Sequence, residues 1–202
     1  MLKIKAILVG ESQTGKTCIL NKLVSNIFIE NPGSTNVAEN LEKEFTVEGK
    51  TITLDIWDTA GQEKFRSLNK IFFKDAEIAF LVYDITKKQT FDELKNFWVE
   101  QVRTFSSENV LFAVVGNKAD LYTKEEVNEN MGQEFADQIN GVFAQTSAKH
   151  GTGINDLFQT VVEKKIESNP DLKNKLLGVK LEVPGKPKGG ECCGGKKNKE
   201  KN

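Results

Sequence analysis

Residues 10–17 read GESQTGKT and lie between an apolar run, residues 4–9, and Cys18, Ile19, Leu20, Leu23 and Val24. The order is strand, glycine loop, helix. It fits GxxxxGK[ST], and the context gives the pattern a mechanism. Successive backbone N–H groups of such a loop and the positive end of the helix dipole converge on one point, where an anion is favoured. Phosphate is the expected guest. Gly10 and Gly15 let the backbone wrap closely, Lys16 brings a point charge to the β- and γ-phosphates, and the Thr17 hydroxyl can ligate Mg²⁺. An ordinary strand-to-helix turn is the alternative for the string taken alone.

On either side the chain alternates between two periodicities. Residues 2–9 are nearly continuously apolar, interrupted by Lys3 and Lys5 only at the start, as expected for a parallel strand buried on both faces. The helix after the loop ends near Ser25. Residues 26–40 are polar, contain Pro32 and Gly33 and have no periodicity, and a connection that long is expected to be functional. Phe45 and Val47, then Ile52, Leu54 and Ile56, alternate on either side of Glu48-Gly49-Lys50 and predict a hairpin. Asp58-Thr59-Ala60-Gly61-Gln62 follows, then a charged segment to Lys70 and the run Ile71, Phe72, Phe73.

Further strands are expected over 78–82, 110–115 and 142–144. Helices are marked by Phe91, Leu94, Phe97, Trp98, Val102 and Phe105, by Val127, Met131, Phe135 and Ile139, and by Ile154, Leu157, Phe158, Val161, Val162 and Ile166. After Pro170 the pattern dissolves, and Gly, Lys, Pro and Asn dominate from Gly178, so the tail reads as disordered. Alternating strands and helices imply an α/β fold with a mostly parallel sheet wound on both faces, the hairpin supplying one antiparallel edge. Ligands in such sheets sit beyond the carboxyl ends of the strands. Residues 58–62, 116–120 and 146–149 are the polar tips that fall there.

A chain of 202 residues suits one domain with a full core and a tail. The formal charge is −1 and the only arginines are Arg66 and Arg103, which argues against a phosphate-tracking groove for nucleic acid. Charge is polarised: from Lys180 onward seven lysines accompany Glu182, Glu191 and Glu200, giving the tail +4 and leaving −5 for the body. Three cysteines do not make a disulfide framework, and there is no signal peptide or apolar run of about 18 residues, which predicts a cytosolic protein. His150, the only histidine, sits in a polar turn, and no His/Cys metal cluster or nucleophile triad can be assembled.

Asp58, at the carboxyl end of a strand, can reach Mg²⁺ directly or through water, and Gly61 offers an N–H near the γ-phosphate. A helix N-cap or turn is the alternative for Asp-Thr-Ala-Gly. Asn117, Lys118 and Asp120 address the base. A carboxylate accepts two hydrogen bonds from N1–H and the exocyclic amine of guanine, whereas adenine presents no such donor pair. Asp120 therefore selects guanine, Asn117 can tie the loops together, the Lys118 stem can cover the base face, and the Ala148 N–H can meet O6. A solvated turn is the alternative for this string.

GESQTGKT, DTAGQ, NKAD and TSAK, in this order and spacing, resemble the Ras-like small GTPases, and WDTAGQEKFRSL, FFKDA and LVYDIT are similar to the Rab branch. The resemblance spans about residues 3–168. It implies a three-layer P-loop NTPase fold with a six-stranded, mostly parallel sheet, one antiparallel edge strand and five helices, arranged as a G domain over 1–170 and a flexible tail over 171–202. It implies nucleotide contacts from Ser12, Gln13, Thr14, Gly15, Lys16, Thr17, Cys18, Phe28, Thr35, Gly61, Asn117, Lys118, Asp120, Ser147, Ala148 and Lys149. Phe28 would lie against the guanine edge. Thr17, Thr35 and Asp58 would hold Mg²⁺, and Gln62 would orient the attacking water.

Thr35 and Gly61 would contact the γ-phosphate only while it is present, so hydrolysis of GTP to GDP would release residues 31–40 and 62–73 together. No arginine precedes Thr35 in its polar stretch, so intrinsic hydrolysis is expected to be slow, and a partner's arginine could raise it about 10³- to 10⁵-fold. The implied partners are an exchange factor, a GTPase-activating protein and effectors, engaged through residues 31–45 and 62–75 of a monomer. The implied process is vesicle-mediated transport, at the cytosolic face of an endomembrane. A guanine-nucleotide-binding interaction module that hardly hydrolyses or switches is the rival reading. An ATPase or small-molecule kinase is opposed by Asp120 and Asn117.

Four positions depart from the family pattern. Gln13 stands where glycine is usual, which implies backbone strain, or a side chain near the phosphates that alters hydrolysis or exchange, or an outward-pointing side chain in an allowed conformation. Residues 36–40, Asn-Val-Ala-Glu-Asn, replace the Rab pattern Ile-Gly-Val-Asp-Phe, so Asn40 removes an aromatic from the usual partner surface, while Trp57 and Phe72 or Phe73 remain. Their alternative role is sheet and helix packing. Cys192 and Cys193 resemble a geranylgeranylated pair but are followed by nine residues, where the family has few or none; lipidation with lysine-assisted membrane contact and a lipid-free tail are both open. Cys18 is expected to be packing rather than a reactive thiol.

Overall fold

The computed structural model describes residues 2–30, 39–59 and 71–178. Six strands form one sheet: β1 (Leu2–Val9), β2 (Glu39–Val47), β3 (Lys50–Asp58), β4 (Ile78–Asp84), β5 (Leu111–Asn117) and β6 (Val142–Thr146), in the order β2-β3-β1-β4-β5-β6. Only the β2–β3 pair is antiparallel. Its turn is short because Glu48 and Gly49 both take positive φ, 50° and 73°, the geometry of a two-residue hairpin. The expected sheet and its antiparallel edge strand are both present.

Period-two alternation divides the core. Ile4, Ala6 and Leu8 of β1, with Ile78, Phe80 and Val82 of β4, face one side, where α1 (Lys16–Ser25) and α5 (Ile154–Ser168) cover them. Phe80 stacks on Phe158 there with ring centroids 4.2 Å apart. Ile7, Val9, Ala79, Leu81 and Tyr83 face the other side, beneath α2 (Lys88–Glu93), α3 (Val99–Phe105) and α4 (Glu129–Gln138). The result is three layers. β2 lies at the sheet edge and keeps Glu39, Glu42, Lys43 and Glu44 on it, charges that discourage pairing with another chain.

Two features differ from the sequence expectation of five helices and a folded unit ending at 170. The helix over 91–105 is not uniform: a π-helical turn, Leu94–Trp98, joins α2 to α3 and brings Leu94 and Trp98 into the core behind Phe91. Beyond residue 170 there is α6 (Pro170–Leu177). Proline does not end the fold here because Asn169 caps the new helix, accepting from the N–H groups of Asp171 and Leu172 at 3.1 and 3.2 Å, with Pro170 at its first position. Leu172 and Leu176 are buried, and Gly178 at φ 73° closes the helix. Among the described residues no helix is long and apolar enough to cross a membrane.

Candidate functional site

The strands run further at their carboxyl ends than the apolar runs suggest. β4 includes Asp84, β5 includes Gly116 and Asn117, and β6 includes Thr146, and the register sets Asp84, Asn117 and Thr146 side by side across three strands. Hydrophobicity marks where a strand is buried on both faces, so it stops one or two residues before the hydrogen-bonded ladder does. Those last residues form the floor of the site.

The loop between β1 and α1 is shaped by steric necessity. At Gly10, φ 140°, a Cβ would come 2.1 Å from the Val82 carbonyl oxygen, and at Gly15, φ 92°, it would come 2.3 Å from Asn117 Nδ2. Any side chain at either position would displace a neighbour. Thr14 is buried, and its hydroxyl donates to Glu11 O at 3.0 Å. Lys16 is 6% exposed, with Nζ donating to Gly10 O and Glu11 O at 2.9 Å each. Burial brings its pKa down to about 8, against the opposing pull of Asp58 and Glu11. The ammonium is thus held inside the loop by two carbonyls, with burial outweighing the pull of the nearby carboxylates.

Gln13 adopts φ 65° with its side chain exposed. Two of the three sequence alternatives are partly realised: the side chain is exposed, in a left-handed conformation that glycine would adopt at lower cost. Ser12 is half-buried. Cys18 is half-buried against the core, its thiol pushed up by burial and donating toward Ile29 O at 3.7 Å, which fits packing rather than a thiolate. Phe28 packs half-buried at the edge of the same core.

At the end of β3, Asp58 is 2% exposed and Thr59 is fully buried, with the Thr59 hydroxyl donating to Leu8 O at 2.6 Å. The Thr17 hydroxyl donates to Asp58 Oδ2, while Oδ1 is buried and has no hydrogen-bond partner among the described residues. Burial raises the Asp58 pKa, opposed by the Thr17 hydrogen bond and the charge of Lys16. An orphaned, desolvated carboxylate oxygen beside a hydroxyl is a hard-oxygen donor set suited to Mg²⁺. The residues present fit that ion.

Asn117 joins the loops. Its Nδ2 donates to Thr14 O at 2.8 Å, and its Oδ1 accepts from the Thr146 hydroxyl and the Ala148 N–H, both at 3.2 Å. The Ala148 N–H is therefore engaged by Asn117. Asp120, half-exposed on a 3-10 turn (Ala119–Lys124), accepts from the Ser147 hydroxyl at 2.6 Å, and Ser147 Oγ in turn accepts from the His150 N–H at 3.2 Å. Lys118, at φ 68°, directs Nζ to the buried Asp84 at 2.7 Å. Lys149 and His150 are exposed. Ser12, Gln13, Thr14, Gly15, Lys16, Thr17, Asp58, Asn117, Lys118, Asp120, Ser147 and Ala148 thus line one end of the sheet, while Thr35, Gly61, Gln62, Cys192 and Cys193 lie outside the described residues.

Sequence reasoning assigned no individual role to Asp84, Thr146 or Glu11, although each lies in a stretch it quoted. The signal for Asp84 was a lone acid closing the apolar run before Ile85; for Glu11 and Thr146 only the fold brings partners. Glu11 accepts from the Trp98 indole N–H at 3.3 Å, linking the loop to the π-helical turn. On the outer face, Phe73 is core, whereas Trp57 and Phe72 are half-buried and meet at 5.5 Å between ring centroids. Asn40 Nδ2 donates to Asp55 Oδ1 at 3.0 Å beside them.

Comparison with known proteins agrees with this geometry. The model of the Ras family matches residues 5–167. A Dictyostelium discoideum protein named Ras-related protein Rab-5B is 42% identical over 164 residues, covering 81% of this chain and 76% of that protein. A family match over most of the chain, whose span includes the loop, the Asp58 tip and the Asn117 junction, establishes that the chain belongs to the Ras family of small GTPases, in its Rab branch.

Proposed function

We propose that this GTPase binds GTP and GDP with Mg²⁺ at the carboxyl ends of β1, β3, β5 and β6, hydrolyses GTP slowly, and signals the bound nucleotide to partners in vesicle-mediated transport. The observation that carries the reading is Asn117, whose side chain bonds the phosphate loop at Thr14 and the base loop at Ala148 at once, so that one ligand could be gripped at both ends. Lys16 supplies its ammonium to the β- and γ-phosphates, and the N–H groups of residues 13–18 face the same anion. Asp120 accepts from guanine N1–H and the exocyclic amine, with Ser147 orienting the carboxylate. Phe28 closes the edge of the base subsite. Thr17, Thr35 and Asp58 are the oxygen donors that would hold Mg²⁺, which supplies neutralisation of the charge on the phosphoryl oxygens.

Gln62 orients the attacking water for in-line displacement, and Thr35 and Gly61 hold the γ-phosphate until it leaves. Residues 31–45 and 62–75 then serve as the face read by an exchange factor, an activating protein and effectors, with Trp57 and Phe72 as its aromatic element. Cys192 and Cys193, amid the tail lysines, are candidate lipid attachment points at a cytosolic membrane face. Single-turnover hydrolysis of GTP by the full chain with Mg²⁺, beside Gln62→Leu and an ATP control, tests this. Slow GTP cleavage lost in the variant, with none for ATP, is expected. Tight GTP binding with cleavage no faster than Gln62→Leu would instead favour a nucleotide-held interaction module, a reading the left-handed Gln13 keeps open, with Gln13→Gly the first reversion to make.

A further inference from the structure

Resting on the guanine-nucleotide reading above, we infer that Asp84 is a positioning residue for nucleotide retention: its buried carboxylate anchors the Lys118 ammonium and so fixes the Lys118 stem as a wall of the base subsite. Asp84 ends β4, is 1% exposed, and lies opposite Asn117 in the sheet. A carboxylate taken out of water this completely needs partners. Oδ2 accepts from Lys118 Nζ at 2.7 Å, and Oδ1 accepts from the Thr86 N–H and hydroxyl at 2.9 and 2.7 Å. The carboxylate thus has two halves with different duties, one shaping the turn into α2 and one holding the lysine.

Three observations separate positioning from general cohesion. The backbones of the two segments are already joined, Ile85 N–H to Asn117 O at 3.1 Å, so the ion pair is not what attaches the base loop to the sheet. The Lys118 side chain is 30% exposed, so its stem is not core packing. Lys118 also holds a left-handed backbone, φ 68°, which turns the chain into the 3-10 segment bearing Asp120, with Leu121 N–H bonded to Lys118 O at 2.8 Å. With its head free, a four-methylene stem would sample many rotamers; pinned at Asp84, it presents one apolar surface beside Asp120 before ligand arrives. Ordering that would otherwise be required on binding is already in place.

The test uses the full chain loaded with a fluorescent GDP analogue in Mg²⁺ and chased with excess GDP. Asp84→Asn, which keeps the shape and the Thr86 contacts, should speed dissociation about tenfold. Lys118→Met, which keeps the stem but cannot be anchored, should do the same. The double variant should stay within about twofold of either single one, because both remove one interaction. Cleavage of GTP already bound to Asp84→Asn should change less than about twofold, since the phosphate end is held by other residues. Additive effects, a wild-type rate in Asp84→Asn, or loss of cleavage in parallel with retention would overturn the inference. If Asp84→Asn does not fold, Lys118→Met decides: a wild-type rate overturns it and a tenfold rise supports it. Wild-type protein that retains no GDP would overturn the guanine reading itself, before any variant is compared.

Discussion

Two buried lysines stand at opposite ends of the sheet, and their places on their helices set them apart. Lys16 opens α1 at the carboxyl end of β1, bonded to the carbonyls of Gly10 and Glu11. Lys165 lies in the last turn of α5 and is 2% exposed, with Nζ donating to Asn109 O at 2.7 Å and the half-buried Glu77 as compensating charge. Desolvation lowers both. The Lys165 end even carries a cleft of about 800 Å³, but several of its polar side chains are spent on the fold: Ser168 bonds Lys165 O, Asn169 caps α6, and Ser107 bonds Ala76 O. Around Lys16 the loop offers N–H groups and a helix N-terminus, and the nearby Asp58 keeps an oxygen with no partner among the described residues. Both ammoniums bond carbonyls and have carboxylates nearby. What sets Lys16 apart is its place at the N-terminus of a helix, in a loop whose N–H groups favour an anion, whereas Lys165, in the last turn of its helix, is a structural pin.

The sharpest way to break this contrast is to remove each lysine. Lys16→Ala should weaken GDP and GTP at least about 10³-fold, equivalent to about 4 kcal/mol, by titration calorimetry, while Lys165→Ala stays within about twofold. Comparable losses in both would dissolve the distinction. Next in size, Lys165→Met should lower unfolding stability by about 1–3 kcal/mol in urea, because it strands the Asn109 carbonyl and Glu77.

A pH series sharpens the same point. In the free protein Lys16 loses its proton near pH 8, below the ordinary lysine value, whereas a bound phosphate favours the charged form and raises that pKa. Binding therefore takes up a proton above pH 8, and affinity should fall toward tenfold per pH unit between about pH 8 and 10. A flat profile would mean that Lys16 does not meet the phosphates. The smallest expected effect is at Gln13: Gln13→Gly should stabilise the fold by about 0.5–1 kcal/mol in chemical denaturation, since glycine adopts φ 65° without a Cβ clash but gains entropy when unfolded. No change would place the strain elsewhere in the loop.

Much of this molecule was legible from spacing. The glycine loop, the hairpin across Glu48 and Gly49, and the helical stripe from Ile154 to Ile166 follow from patterns that period and side-chain chemistry dictate locally. The misses have one cause. Asp84, Asn117 and Thr146 belong to strands but read as strand exits, because a polar residue ends an apolar run whether or not the ladder continues. Pro170 read as the end of order for a related reason: a cap and a first-turn proline announce a helix only if Leu172 and Leu176 have a core to enter.

By itself the sequence determined which chemistries were available, since Gly10, Gly15, Lys16, Thr17, Asp58, Asn117 and Asp120 are the residue types, at the spacing, on which the proposed guanine-nucleotide site rests. It also set the layer order, because alternation and helical spacing are properties of single segments. Only the tertiary structure decided how those residues work on one another. Residues more than a hundred positions apart, Thr14 and Asn117, share a hydrogen bond; Asp84 claims the Lys118 ammonium; the indole of Trp98 meets Glu11. Such pairings depend on strand register and on desolvation, and both arise only when the whole sheet has assembled and water has been excluded from its carboxyl ends.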